Sequence, residues 1–221
     1  MDYHFNFRYI WRHFDRLVDG LILSLELAFI SILIGAFIGL LLSIIYVDKG
    51  RLSRLLVACY VEIIRNSPLL LLVYMVFYGI PSIGGFEYSA TTSFIITLSL
   101  YSGAYLVEVF RSGFSSIEQG LIDASKAIGM NYFQRLIYIR IPTMLRITLP
   151  SMSNTYISLF KDTSIASVIA VPELTYGAQW INFNTFRIIE VYAVITPMYL
   201  GTGFIILLLL RKLEKKFKIQ N

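Results

Sequence analysis

The segment from Lys161 to Ser164 places two charged groups and two hydroxyls, in the order KDTS, between apolar stretches. A charge at bilayer depth costs a few kcal/mol or more, so such residues are usually paired or functional. Unwound backbone and polar side chains at that depth could contact a zwitterionic ligand. We therefore predict that Lys161, Asp162, Thr163 and Ser164 belong to a substrate pathway. The alternative is an internal ion pair between Lys161 and Asp162 that stabilises a helix break.

A second pair of charges lies in the apolar block that begins near residue 55. Glu62 and Arg65 are three residues apart, which places them on one face of a helix. We predict that they form a structural ion pair, just before Pro68 kinks the helix. A direct functional role is the less favoured interpretation.

The residues do not favour ATP binding, metal binding or hydrolysis by this chain. The sequence contains no GxxxxGK[ST] segment, so the chain is not expected to bind ATP through a Walker loop of its own, and we predict no cofactor in it. His4 and His13 lack the spacing of metal ligands, and we predict no metal site. An intramembrane hydrolase ranks last, because no serine–histidine or metal constellation stands out, and we assign no catalytic residue.

Composition indicates the elements that position these residues. Hydrophobic residues make up 57% of the 221 residues and charged residues 15%, which is typical of a protein in a bilayer and not of a soluble domain. Apolar blocks of spanning length follow one another. We predict one all-α membrane domain over 20–210 with about five transmembrane helices, the fourth broken at KDTS. The predicted spans are 20–47, 55–81, 93–110, 144–171 and 188–210.

Basic residues predict the orientation. Alternate inter-span segments hold thirteen Lys and Arg residues, whereas the opposite segments hold four. Cytoplasmic loops retain positive charge, so the N-terminus is predicted outside and the C-terminus in the cytoplasm. We expect residues 1–19 to form an amphipathic helix on the outer surface and 211–221 to form a basic cytoplasmic tail. Because topology accounts for the positive charge, nucleic-acid binding is not expected.

The long segment 112–142 falls on the cytoplasmic side, between the third and fourth predicted spans. A short helix over 117–127 is predicted to stop at Gly129, since glycine readily adopts the left-handed conformation of a helix end. A second helix should run from about Tyr132 to Pro142. Two short helices joined at a glycine would form a rigid knob, suited to contact another protein.

This loop reads DASKAIG, then nine residues, then IRIP. It resembles the cytoplasmic signature of ABC importer permeases, with Asp123, Ser125 and Ile141 in place of the usual Glu, Ala and Leu. Three other blocks resemble the polar amino-acid branch of that family, so the likeness covers most of residues 20–210. These blocks are RNSPLLLLVYMVFYGIP, SGAYLVEVFRSGFSSIEQG and LPSMSNTYISLFKDTSIASVIAVPELT.

The resemblance implies a permease that moves a polar amino acid across a bacterial cytoplasmic (inner) membrane. It implies that the loop is a coupling helix docked on a separate nucleotide-binding subunit, which holds ATP and Mg. It also implies a second permease subunit, identical or related, and an extracytoplasmic amino-acid-binding protein. A self-contained secondary transporter or channel is the alternative. The residues assigned to coupling are Asp123, Ala124, Ser125, Gly129 and Pro142.

Overall fold

The computed structural model of the protein describes residues 4–85 and 87–217, with side chains up to residue 216. Within these residues every regular element is helical, as predicted from the composition. Two π-helical turns, Met75–Gly79 and Leu136–Arg140, and one 3₁₀ helix, Thr163–Ile169, connect α-helices. The α-helices are α1 (Arg8–Arg12), α2 (Phe14–Asp48), α3 (Arg51–Asn66), α4 (Leu69–Tyr74), α5 (Ile80–Gly84), α6 (Ala90–Ser115), α7 (Gln119–Ala127), α8 (Tyr132–Arg135), α9 (Ile141–Asp162), α10 (Leu174–Thr185) and α11 (Ile188–Phe217).

Two glycines let α2 and α6 lie in close contact. A Cβ atom added at Gly35 would lie 1.9 Å from Ser102 Oγ, and one at Gly39 would lie 2.8 Å from Leu106 Cβ. Small residues four apart on one helix face allow backbones to approach in this way. The α2–α6 pair and α9 surround a core that includes Phe94.

The N-terminal segment differs from the prediction. α2 begins at Phe14, so residues 14–19 form the first turns of the long helix and not part of a separate surface helix. Ile10 on α1 and Leu17 on α2 are fully buried, in a cluster with residues of α10 and α11. The prediction of one surface helix over 1–19 is therefore wrong for this part, because apolar side chains there pack into the fold. Residues 1–3 lie outside the described residues.

The second apolar block does not form one kinked helix. α3 ends at Asn66, Ser67 is extended, and the chain resumes as α4 at Leu69, with an angle of 105° between the two parts. Pro68 explains the break, since proline disfavours helical geometry in the residue before it. The predicted span over 55–81 is therefore divided between two directions.

Three helices in the described residues are long and apolar enough to cross a membrane, or four if the bent pair is one span. These are 14–48, 90–115 and 188–216. α9 has 22 residues, about 33 Å in length, but it is more polar. The count of five and the orientation stay predictions. α11 continues through 211–217, the first part of the predicted basic tail. Residues 218–221 lie outside the described part.

Candidate functional site

The predicted coupling helix corresponds in sequence to α7, which ends at Ala127, two residues before Gly129. Gly129 has a φ angle of +81°. Its N–H donates to the Lys126 carbonyl at 2.9 Å, and the Met130 N–H donates to the Ser125 carbonyl at 3.1 Å. These bonds satisfy the last carbonyls of the helix and define a sharp turn that glycine adopts without a steric penalty.

The polar side chains of α7 bond to one another. Asp123 Oδ1 accepts hydrogen bonds from Lys126 Nζ at 2.9 Å and from Gln119 Nε2 at 3.0 Å. The bond from Lys126 is the main reason why the pKa of Asp123 lies below its usual value. Ser125 is buried and donates to the Ile122 carbonyl at 2.6 Å. The Ser125 hydroxyl is therefore bonded within α7 itself, whereas Asp123 stays exposed.

Apolar side chains surround the exposed positions of this knob. Ala124 and Gly129 are exposed, and Ile128 and Phe133 are 77% and 69% exposed. Exposed apolar residues grouped on a small helical surface typically mark a protein contact. This surface, formed by α7 and the start of α8, is the candidate docking surface.

Pro142 does not end a helix, contrary to the prediction. α8 passes through the π-turn Leu136–Arg140 directly into α9, where Pro142 occupies the first turn. Proline has no N–H to bond to the preceding turn, and its ring would clash with a carbonyl of a regular α-turn. A π-turn is wider than an α-turn and leaves room for the ring. The candidate docking surface is thus continuous with α9, and Pro142 lies within that connection.

An ion pair ties this connection to the end of α2. Arg140 donates from both terminal nitrogens to Asp48, at 2.9 and 3.0 Å, and the Tyr132 hydroxyl donates to Asp48 Oδ2 at 2.5 Å. The side chains of Arg140 and Asp48 are 15% and 18% exposed. A bidentate pair fixes both the distance and the orientation of the two groups. The coupling segment is therefore held against α2 as well as leading into α9.

A cavity of about 310 Å³ lies between α6 and α9, and Asp162 is the acidic group in its lining. The Asp162 carboxylate is partly buried and has no hydrogen-bond partner within the described part of the chain. Burying a carboxylate without a partner is unfavourable. An unpartnered acid facing a cavity therefore favours a role with a ligand. The lining residues are Tyr101, Tyr105, Asn154, Thr155, Ser158, Leu159 and Asp162.

The other residues of the KDTS segment lie outside this cavity lining. Lys161 is exposed, Ser164 is partly buried, and Thr163 is fully buried, with its hydroxyl donating to the Phe160 carbonyl at 2.6 Å. In the described structure Lys161 and Asp162 form no ion pair. The α-helix does end at Asp162, but residues 163–169 form a 3₁₀ helix and not a resumed span.

Glu62 and Arg65 take different partners, so the predicted ion pair between them is wrong. Glu62 Oε2 accepts from Asn66 Nδ2 at 2.8 Å. The Arg65 guanidinium lies over the ring of Tyr105, 5.1 Å from its centroid. Tyr105 comes from α6, and sequence spacing on α3 alone could not have indicated this contact.

Arg65 therefore lies next to Tyr105, which lines the same cavity as Asp162. The hydroxyls of Tyr101 and Tyr105 are 3.2 Å apart. Tyr101 and Asp162 line the same cavity. A guanidinium and a carboxylate near one cavity complement the two charges of a zwitterion, and the tyrosine hydroxyls can donate or accept hydrogen bonds.

A buried acid at the start of α10 was missed at the level of sequence. Glu173 is fully buried, and its carboxylate accepts from the backbone N–H groups of Thr175 and Tyr176 at 2.9 Å. The hydroxyls of Tyr199 and Ser24 also donate to it, at 2.9 and 3.3 Å. These bonds join α10 to α11 and α2. An acid preceding a helix is a recognised capping signal, but the two distant hydroxyls have no local signature.

Comparison with known protein families gives one match over most of the chain. Residues 20–219 match the family described as binding-protein-dependent transport system inner membrane component. A probable glutamine ABC transporter permease of Bacillus subtilis is 37% identical over 209 residues, covering 93% of this chain and 95% of that protein. The glutamine transport system permease of Escherichia coli K12 is 29% identical, covering 97% and 99%.

A solved structure has the same fold. The crystal structure of an amino acid ABC transporter with histidines superposes with a TM-score of 0.88 and 28% identity. The match covers 97% of this chain and all of that chain. The arrangement of helices described above is therefore that of a known transporter chain along its whole length.

Proposed function

Because the chain belongs to the family of binding-protein-dependent transport system inner membrane components, we propose that it is the permease subunit of an ABC importer for a polar amino acid. Relatives that share more than nine tenths of its length are amino-acid permeases. The observation that carries the proposal is the unpartnered Asp162 carboxylate in a tyrosine-lined cavity. Membership of a transporter family and a cavity suited to a charged ligand both favour amino-acid transport.

In this proposal the cavity between α6 and α9 forms part of the substrate pathway. Asp162 attracts the ammonium group of the amino acid, and Arg65, beside Tyr105, attracts its carboxylate. Tyr101 and Asn154 supply hydrogen bonds between the two charges. Lys161 and Ser164 line a neighbouring part of the path, outside this cavity. Thr163, which is buried, supports the backbone there.

Coupling to ATP hydrolysis uses the docking surface on α7. Asp123, Ala124 and Gly129 lie on its exposed side, and Ser125 is buried beneath it, with its hydroxyl bonded to the Ile122 carbonyl. Movement of an ATPase subunit, which binds ATP and Mg, reaches α9 through the continuous helix that contains Pro142. A rigid connection suits this task, because a flexible loop would absorb the movement.

The chain functions with other subunits in the bacterial inner membrane. Arg65 and Asn154 are exposed in the isolated chain, which leaves room for a second permease subunit, identical or related, beside the pathway. An amino-acid-binding protein delivers the ligand from outside. The chain crosses the membrane five times, with the N-terminus outside and α7 in the cytoplasm.

The proposed activity is tested by reconstitution in proteoliposomes with an ATPase subunit and an amino-acid-binding protein from the same organism. Uptake of a labelled amino acid should require ATP on the side of the ATPase and should stop when the Walker lysine of that subunit is replaced. Ionophores that remove ion gradients should leave uptake unchanged. Uptake that needs a gradient but no ATP would instead identify a secondary transporter.

The orientation is tested by labelling cysteines in intact cells, after the exposed Cys59 has been replaced by serine. A cysteine at Gly85 should react with an impermeant thiol reagent, whereas a cysteine at Asn131 should react only after the membrane is opened. Both positions are exposed, so burial does not limit the reaction. The opposite labelling pattern would contradict the distribution of basic residues as the determinant of topology.

A further inference from the structure

A basic cavity lies at the end of the helix bundle that carries the coupling segment. It has a volume of about 340 Å³ and lies between the start of α9 and the end of α11. Three basic residues and one acid line it, so it holds an excess of positive charge. The basic side chains have no ion pair within the described part of the chain. The lining residues are Arg146, Leu149, Pro150, Arg211, Glu214 and Lys215.

An apolar cavity of about 380 Å³ adjoins the basic one. The two share Leu149, and Leu210 of the apolar cavity directly precedes Arg211 of the basic cavity. The walls come from three helices, α2, α9 and α11, and form a groove directed from the basic end toward the middle of the bundle. Its apolar lining includes Phe29, Leu33, Met152, Ile206 and Leu209.

We propose that the two cavities form one binding site for an anionic phospholipid. The phosphate of the headgroup lies among Arg146, Arg211 and Lys215, and an acyl chain follows the apolar groove. Basic pockets between membrane helices bind anionic headgroups in this way, because positive charge and apolar surface meet at the depth where a lipid has phosphate and hydrocarbon. This site lies apart from Asp162 and does not depend on which substrate the permease moves.

Charge decides between classes of lipid. A zwitterionic headgroup such as phosphatidylcholine brings no net charge and leaves the positive excess unneutralised. A free phosphate brings charge but nothing to fill the apolar groove. An anionic phospholipid matches both cavities at once. Glu214 reduces the positive charge of the site, so its removal should strengthen binding.

The test is retention of lipid by the purified full-length chain, measured by native mass spectrometry in mild detergent. Phosphatidylglycerol should be retained more strongly than phosphatidylcholine, and glycerol 3-phosphate should not compete. Replacing Arg146, Arg211 or Lys215 by Gln should lower affinity about fivefold each, and all three together on the order of a hundredfold. Glu214→Gln should raise the affinity for phosphatidylglycerol, so this variant tests the site through a gain of binding and not a loss.

The matched control removes charge elsewhere at the same membrane interface. Lys49 and Arg51 are exposed at the turn between α2 and α3 and do not line either cavity. Lys49→Gln with Arg51→Gln should leave phosphatidylglycerol retention unchanged. Equal retention of phosphatidylcholine, competition by glycerol 3-phosphate, or an equal loss in this control would each overturn the proposal.

Discussion

Asp162→Asn is expected to lower amino-acid uptake about tenfold to a hundredfold without lowering the melting temperature of the purified chain. A hydrogen bond to a charged group contributes about 1.5–3 kcal/mol, and about 1.4 kcal/mol corresponds to a tenfold change. The carboxylate has no partner in the described chain, so its loss leaves no other charge unpaired. The measurements are uptake in proteoliposomes with the complete complex and thermal unfolding in detergent.

Lys161→Met is a comparison variant within the proposed path, since it removes the adjacent charge from a residue outside the cavity lining. Its effect on uptake should be smaller than that of Asp162→Asn. Arg65→Gln should weaken uptake of neutral amino acids through loss of the contact with the ligand carboxylate. If Asp162→Asn unfolded the chain, or if it transported with unchanged rate and selectivity, Asp162 would not belong to the pathway.

Reversing one member of the Asp48–Arg140 pair is expected to uncouple ATP hydrolysis from transport. Asp48→Arg or Arg140→Asp alone places two like charges where a bidentate, largely buried pair now joins α2 to the coupling segment. Breaking such a pair costs about 3–5 kcal/mol when it is fully buried, and less at this degree of exposure. Substrate-stimulated ATP hydrolysis and uptake should both fall in the reconstituted complex.

The double reversal, with Arg at position 48 and Asp at position 140, should recover a large part of both activities. A control is the Glu108–Arg111 pair, which has a similar short distance of 2.7 Å but lies within the single helix α6. Reversing that pair should affect coupling less, because both charges belong to α6, although Arg111 also lies over the ring of Tyr46 on α2, 5.5 Å from its centroid. Failure of the double variant to recover, with normal assembly of the complex, would show that the pair does not transmit movement.

Several features of this protein follow from local sequence. Long apolar runs predict helices because a chain in lipid must satisfy its backbone hydrogen bonds within itself. Gly129 predicts a helix end because glycine adopts a left-handed conformation at low cost, and α7 ends two residues before it. The KDTS segment predicts a change in helix geometry, and the α-helix does end at Asp162. Each of these depends on neighbours within a few residues.

The partners of the charged residues were decided by tertiary structure. Spacing on α3 suggested that Glu62 and Arg65 pair, yet Asn66 binds the acid and Tyr105, forty residues away, takes the guanidinium. Asp48 and Arg140 are 92 residues apart, and neither has a local signal. Polar residues within reach compete for each charge, and only the packing of the helices determines which of them is near.

Sequence by itself therefore determined that the chain is a helical membrane protein with a knob-forming loop and one polar break. Tertiary structure decided which part of that break faces a cavity: Asp162 lines it, while Thr163 is turned into the core. It also decided that Glu173 joins α10 to α2 and α11, and that Pro142 lies inside a continuous helix. Periodicity and special residues encode local geometry, whereas contacts between distant polar groups arise only when the packing of the helices brings those groups together.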